Sequence, residues 1–279
     1  MKALPSRQLL CLYFDENKLT RFCRPSILNF QLQLLDALSS QHPDEIVLVC
    51  EYFNLTQAQV LTDFSNQKLN VTGLASAYAK SDENFDINGH LAPLLLLAKD
   101  KRVPIIAGFP PRGWARDFLE DGEGVLSKLK NEFAFDRPED TKPKDLEHEA
   151  YFESLLSDSA PRETVPDDEA RKGARILPAQ LLKDAVMAWS IDQQLAKGKI
   201  VLALAGIGHM EYGFGIPERV RQVKREDMIL IACKSNDESE LWHHEKSTGA
   251  EGAGNLASDK MATAQDRKIA DAVYLYDAV

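Results

Sequence analysis

An imidazole and a phenol stand three residues apart in the run Gly206-Ile-Gly-His-Met-Glu-Tyr-Gly-Phe-Gly-Ile-Pro-Glu-Arg219. His209 and Tyr212 are side chains that coordinate iron or another metal, and that also carry protons. Gly206, Gly208, Gly213 and Gly215 let the backbone take positive φ and let a second group come close. A histidine in a tight turn is equally well served by backbone hydrogen bonds. Two further groups belong beside this pair. Glu51 ends the apolar run Ile46-Val-Leu-Val-Cys50, so that it and His209 are expected to face each other across one edge of a sheet. Gln180, Asp184 and Met187 fall at i, i+4 and i+7 and share one stripe of a helix. That stripe reads either as a core methionine beside a polar packing network, or as a helix covering a ligand pocket.

The elements that position these groups follow from the hydrophobic pattern. Lys199 to Ala205 has no polar alternation, which suits a strand buried on both faces of a parallel sheet, and ligands of such sheets bind beyond the carboxyl ends of the strands. Residues 46–50, Val103 to Gly108, Met228 to Cys233 and an edge strand Val273 to Tyr276 read the same way. Helices are expected over 26–42, Thr56 to Leu69 with Thr56 as cap, Leu91 to Lys101, and Gly113 to Asn131 with a break at Asp121 to Gly124. Strand and helix in alternation give an α/β fold, a mainly parallel sheet flanked by helices. Residues 132–196 read as a small all-helical insert or cap within one domain spanning 1–279. It comprises a charged stretch from Asp136 to Lys144, a helix from Asp145 to Leu156, a polar connection from Asp158 to Gly173, and a helix that Pro178 starts and that ends near Lys197. Pro217 to Lys224 is expected to form a short basic helix. His243 and His244 lie in a loop-like stretch, and adjacent histidines point apart on any regular element.

Composition bounds the function. With 44% hydrophobic and 27% charged residues the chain is an ordinary globular one. A formal charge of −10 argues against nucleic acid, whose binding needs clustered Lys and Arg. Cys11, Cys23, Cys50 and Cys233 are too scattered for a zinc motif or a disulfide framework, and Cys50 and Cys233 are expected in the core. No apolar run approaches the ~18 to 20 residues of a transmembrane helix. The amino terminus lacks a basic region followed by an apolar stretch and a cleavage site. The chain therefore reads as soluble and unexported, with organellar and cytoplasmic addresses both open.

The Gly206 to Arg219 segment resembles the closing motif of the ChaN-like haem-binding uptake family, within the superfamily that also holds the Tiki-type metalloproteases with their Gly-x-x-His motif. Ile46 to Phe53, Leu94 to Arg112 with its Pro-Arg turn, Gln180 to Ala188, and Ala270 to Tyr276 resemble other family segments in the right order. The resemblance spans most of residues 28–279. It fails at the start, where members carry a strand, a Gly-Glu-x-His turn and a helix with paired histidines. Here the segment reads Leu9-Leu-Cys-Leu-Tyr-Phe-Asp-Glu16-Asn-Lys18. The expectation is that the first strand and its site residues are lost, or that the chain is a truncated or misassembled version of a longer one.

What the resemblance implies is a binding protein for haem or a related tetrapyrrole that catalyses no reaction. Tyr212 or His209 would ligate iron, with Glu51, Gly206 and Gly208 around them. Phe214, Met187 and Trp189 would line the slot, Arg112 or Arg219 would pair with a propionate, and Gln180 and Asp184 would support from behind. The implied partner is a small molecule, and a homodimer is compatible with it. The superfamily implies a rival, a metal-dependent hydrolase in which His209 ligates a divalent metal and Glu51 activates its water, although catalytic zinc normally takes three protein ligands. A degenerate member acting as an interaction scaffold is the third reading.

Overall fold

A computed structural model of the chain describes residues 9–14, 25–81, 83, 85–144, 147–149, 151–152, 167–235 and 270–276. Glu16, residues 158–166 and the pair His243 and His244 lie outside the described residues. Six strands form one sheet: β1 (Leu9–Phe14), β2 (Ile46–Asn54), β3 (Ile105–Phe109), β4 (Ile200–Gly206), β5 (Met228–Ser235) and β6 (Ala272–Tyr276). Their order is β3-β2-β4-β1-β5-β6 and every pairing is parallel. The α/β architecture read from the pattern holds, with no antiparallel strand among the described residues.

The unbroken apolar runs are explained by burial on both faces. Leu10, Leu12, Leu48, Cys50, Leu202 and Leu204 belong to one core cluster, while their neighbours Leu9, Cys11, Val47, Val49, Val201 and Ala203 belong to another. Successive side chains of each strand therefore serve opposite layers. The first layer is closed by α1 (Pro25–Gln41), α2 (Ala58–Ser65), α3 (Val71–Tyr78), α4 (Ala92–Asp100) and α6 (Gly122–Phe133), with α5 (Arg112–Asp117) following β3. The long α7 (Asp167–Leu195) sends Leu182, Ala185 and Val186 into the first cluster and Met187, Ala188, Ile191 and Leu195 into the second. Full burial of such side chains contributes roughly 1.5–3 kcal/mol each. Cys11, Cys50 and Cys233 are buried free thiols. Burial pushes the Cys11 thiol up to about 12, so it behaves as apolar filler.

Several expectations are corrected. The first strand is not lost: β1 lies in the middle of the sheet, pairing from Leu9↔Val201 to Phe14↔Gly206 on one side and from Leu9↔Met228 to Phe14↔Cys233 on the other. Pro178 lies inside α7 rather than at its start. A proline ring costs one backbone hydrogen bond, and the apolar stripe packed on the sheet outweighs that loss. The cap at 54–57 belongs to Asn54, whose side chain accepts from the Thr56 amide while its own amide donates to Gln57. Thr56 to Leu69 is a 3-10 turn plus α2, and α3 follows where no element was expected. Pro217 to Lys224 forms no α-helix, only the 3-10 turn Pro217–Arg219, because Arg219 turns inward to bind carbonyl oxygens. Among the described residues no helix is long and apolar enough to cross a membrane.

Candidate functional site

Strand β2 carries Glu51 out of the ladder by a bulge. Its register to β3 runs Cys50↔Ala107 and then Asn54↔Phe109, and its pairing with β4 ends at Cys50↔Leu204. Bulges of this kind re-aim side chains beside functional sites. Glu51 remains 5% exposed, with its Oε2 3.8 Å from His209 Nε2. The other imidazole nitrogen is tied from α7, where His209 Nδ1 lies 2.5 Å from Asp184 Oδ1. The two ring nitrogens thus face two different carboxylates, Nδ1 that of Asp184 and Nε2 that of Glu51. The Gln180 amide nitrogen, 2.8 Å from Nδ1, donates to the Gly208 carbonyl at 3.1 Å. Asp184 is fully buried, and its Oδ2 has no hydrogen-bond partner among the described residues. The Phe109 ring packs 4.8 Å from the imidazole, with Lys183 Nζ 5.4 Å above the phenyl face. The stripe of α7 thus delivers Gln180 and Asp184 to His209. Met187 is fully buried, its sulfur against Gly108 beneath the sheet edge.

Three residues later the chain reverses. Tyr212 takes φ 57, ψ 12, and Gly213 and Gly215 follow at φ 77 and φ 65. A non-glycine residue held there costs on the order of 1–3 kcal/mol and persists only where its surroundings insist on it. Gly215 cannot be replaced cheaply, since a Cβ would stand 2.4 Å from the His209 carbonyl oxygen and 3.0 Å from Asp184 Oδ2. The Ile216 amide closes the turn on that same carbonyl at 2.8 Å. The reversal moves Tyr212 away from Glu51 and His209. Its ring instead lies 5.2 Å from Tyr151 and 6.3 Å from Phe214, at the wall of a cavity of about 510 Å³. Pro217, Val220, Val223 and Met228 give that cavity apolar walls, and Arg225 and Glu218 give it charge.

The described residues 147–149 and 151–152 clamp this side of the turn. Tyr151 Oη donates to the Glu211 carboxylate, and His148 stacks on Phe214 at 5.1 Å while its Nδ1 lies 2.8 Å from Glu218 Oε1. Burial pushes the Glu218 carboxyl up, but the His148 hydrogen bond and the Arg219 charge outweigh it and hold Glu218 below the ordinary glutamate range. Arg219 is fully buried, donating to the carbonyls of Asp140, Gly215 and Lys142 and to the Glu218 carboxylate.

Of the expected site residues, the structure therefore brings together Glu51, His209, Gln180, Asp184, Gly206 and Gly208. Tyr212 lies on the other flank of the turn. Arg219 has all three guanidinium nitrogens engaged below the surface. Arg112, half-buried at the start of α5, has its backbone amide on Glu83 at 3.2 Å and is not among the residues lining the Tyr212 cavity. Trp189 packs edge-on against Phe135. Sequence reasoning missed Arg225, which is 46% exposed, binds Asp271 at 3.1 Å and lines the Tyr212 cavity. It also missed His148 and Tyr151. A basic residue in a polar stretch gives no sign of which wall it joins, and neither aromatic sits in a motif. Among the described residues, no group of three His, Cys, Asp or Glu side chains is placed to hold a metal ion.

The family described as haem-binding uptake, Tiki superfamily, ChaN matches residues 23–220. No curated protein sequence matches the chain. Among solved structures, one of cofacial haem binding to ChaN of Campylobacter jejuni is similar at 15% identity and a TM-score of 0.52, over 82% of each chain. A mutant of the erythromycin esterase EreC in its open conformation is 12% identical over 83% of this chain and 71% of its own, with a TM-score of 0.45. A Bacillus cereus protein is 14% identical, with a TM-score of 0.35 over 83% and 67%.

Proposed function

The chain belongs to the ChaN family of haem-binding uptake proteins in the Tiki superfamily, and from that premise we propose that it binds haem or a related tetrapyrrole at the Tyr212 flank of the glycine turn. Such a ligand needs one or two iron donors, an apolar slot and a cation for its propionates. All three requirements have candidates within one cavity. Tyr212 offers the phenol, Pro217, Val220, Val223 and Met228 the apolar walls, and Arg225 the cation. The observation that carries the reading is the left-handed Tyr212, a strained residue presented to a cavity of about 510 Å³. The volume falls within the ~300–1,000 Å³ of small-molecule sites. When bound, haem supplies an iron centre, and the role of the chain's own residues is to hold and orient it.

The ligand set assigned here keeps Tyr212 and moves the propionate partner to Arg225, since Arg219 is consumed by the fold. His209, with Asp184 on one nitrogen and Glu51 in front of the other, takes no part in it. Titrating hemin into the full chain while following the Soret band tests the reading. The expected result is a saturable Soret shift with a phenolate-to-iron charge-transfer band, both lost in Tyr212→Phe and weakened in Arg225→Ala. Hemin binding that Tyr212→Phe leaves intact would end this assignment.

A further inference from the structure

Both charged residues on the wall of the Tyr212 cavity arrive already paired. Glu218 is bonded by His148, by Arg219 and, at 3.3 Å, by the Gly215 amide. Arg225, the cation assigned above to the ligand's carboxylate, sends Nη1 to Asp271 Oδ2 at 3.1 Å and to the Met228 carbonyl at 3.4 Å. Asp271 stands just ahead of β6 and is pinned there. Its own amide donates to the Leu230 carbonyl at 2.9 Å, and the Leu230 amide donates back to Oδ2 at 2.9 Å. Resting on that cavity being the ligand site, we propose that Asp271 is its specificity-determining residue. It aims one edge of Arg225 at a single anionic arm of the ligand, and its fixed negative charge holds the affinity for that arm down.

A guanidinium presents its N–H donors in one rigid plane. Both side-chain hydrogen bonds of Arg225 among the described residues leave from Nη1, so the Nε and Nη2 edge keeps its donors. An edge of that kind grips a carboxylate through two parallel bonds. Gly213 gives its direction, since a Cβ there would stand 3.8 Å from Arg225 Nε. The open edge therefore lies against the turn that carries Tyr212, and a flat ligand held by the phenol brings a side arm past Gly213 to meet it. There the arm gains hydrogen bonds from a cation whose charge Asp271 already balances. Arg225 and Asp271 are 46% and 36% exposed, so salt weakens the repulsion between Asp271 and the arm. The ligand class is accordingly a planar, apolar molecule with one acidic arm turned inward and any second one left in solvent.

The test compares two dyes in the full chain, anilinonaphthalene sulfonate and its uncharged counterpart phenylnaphthylamine. Only the fluorescence that Val223→Trp removes by filling the cavity is counted. Asp271→Asn keeps an oxygen for the Leu230 amide and removes the charge. Expected is about fivefold tighter sulfonate binding, the scale of one charge several ångströms away near a surface, with little change for the neutral dye. The difference should shrink in molar salt, whereas a merely structural role moves both dyes together at any salt. Arg225→Lys keeps the charge but offers no second edge, so its preference for the sulfonate should fall to that of Arg225→Ala. This arm decides the matter if Asp271→Asn fails to fold. Hemin should also bind about fivefold tighter in Asp271→Asn, with its Tyr212-dependent charge-transfer band retained. Unchanged or weaker sulfonate binding in Asp271→Asn, equal gains for both dyes, or full sulfonate preference in Arg225→Lys would each overturn the proposal. Hemin that binds through Tyr212 while the dyes ignore Asp271 sinks this proposal alone. Dyes that follow the charge rule beside hemin without a Tyr212-dependent Soret shift remove haem as the ligand and leave the role of Asp271 standing.

Discussion

The two flanks of the glycine turn are built on opposite plans. On the His209 side three ionisable groups are packed into contact, 10%, 5% and 0% exposed, and held by α7 and the bulge in β2. On the Tyr212 side an open space is lined by apolar side chains together with Glu218 and Arg225, and the buried Arg219 and His148 are bonded into the turn. Only two residues separate the imidazole from the phenol in sequence, yet a single left-handed residue followed by Gly213 turns them to different places. Adjacency in a motif therefore does not make one site. The dense flank holds its polar groups in fixed places, where low exposure strengthens each interaction. The hollow flank is suited to holding something flat and apolar.

The comparison can be broken first at Arg219, the residue that ties the hollow flank to the stretch 138–144. Arg219→Ala strips the bonds of three carbonyls and takes the guanidinium from Glu218, and should cost about 3–5 kcal/mol, read as a fall in the urea midpoint. A loss below 1 kcal/mol would mean that the buried guanidinium does not support the flank. Next comes the double dissociation. Tyr212→Phe should weaken hemin binding more than about tenfold, against less than about threefold for His209→Ala, since each 1.4 kcal/mol of lost contact is one factor of ten. Equal losses would merge the flanks into one site. A smaller effect is expected at Gly215→Ala, where the added methyl meets the His209 carbonyl and both flanks are strained together. Stability should drop by roughly 1–3 kcal/mol, and hemin affinity should fall in the same variant.

The smallest effect is electrostatic. Glu218 is held below its usual value of 4.5 in the folded chain, so the folded state binds fewer protons than the unfolded one as pH drops through that region. Its contribution to stability is complete above the ordinary glutamate value and is lost as pH falls through the lowered one. A Tm measured from pH 6 to pH 3 should decline below about 4.5 less steeply in Glu218→Gln than in the wild type. Identical slopes would show that His148 and Arg219 do not bind the Glu218 carboxylate preferentially.

The sheet was legible because buried parallel strands leave an unmistakable trace, and Ile200 to Ala205 carries no polar residue to contradict it. The stripe of Gln180 and Asp184 was legible for a similar reason, since helical spacing fixes which side chains face together. The position of Tyr212 was not, because positive φ at a tyrosine is decided by what surrounds it: the Glu211 and Tyr151 bond, the Phe214 stack and the closure of Ile216 on His209. Arg219 looked like a surface cation, and only the distant carbonyls of Asp140 and Lys142 reveal its use. Segment 132–196 read as helical, yet residues 148 and 151 grip the turn while α7 lies on the sheet.

The placement of β1 has a consequence for how the chain reaches this state. The strand nearest the amino terminus lies between two strands that come roughly two hundred residues later. During synthesis Leu9 to Phe14 must wait, unpaired and oily, until β4 and β5 have left the ribosome. Acquisition of the native state should accordingly be slow, and the waiting segment is where holdase chaperones would be expected to act.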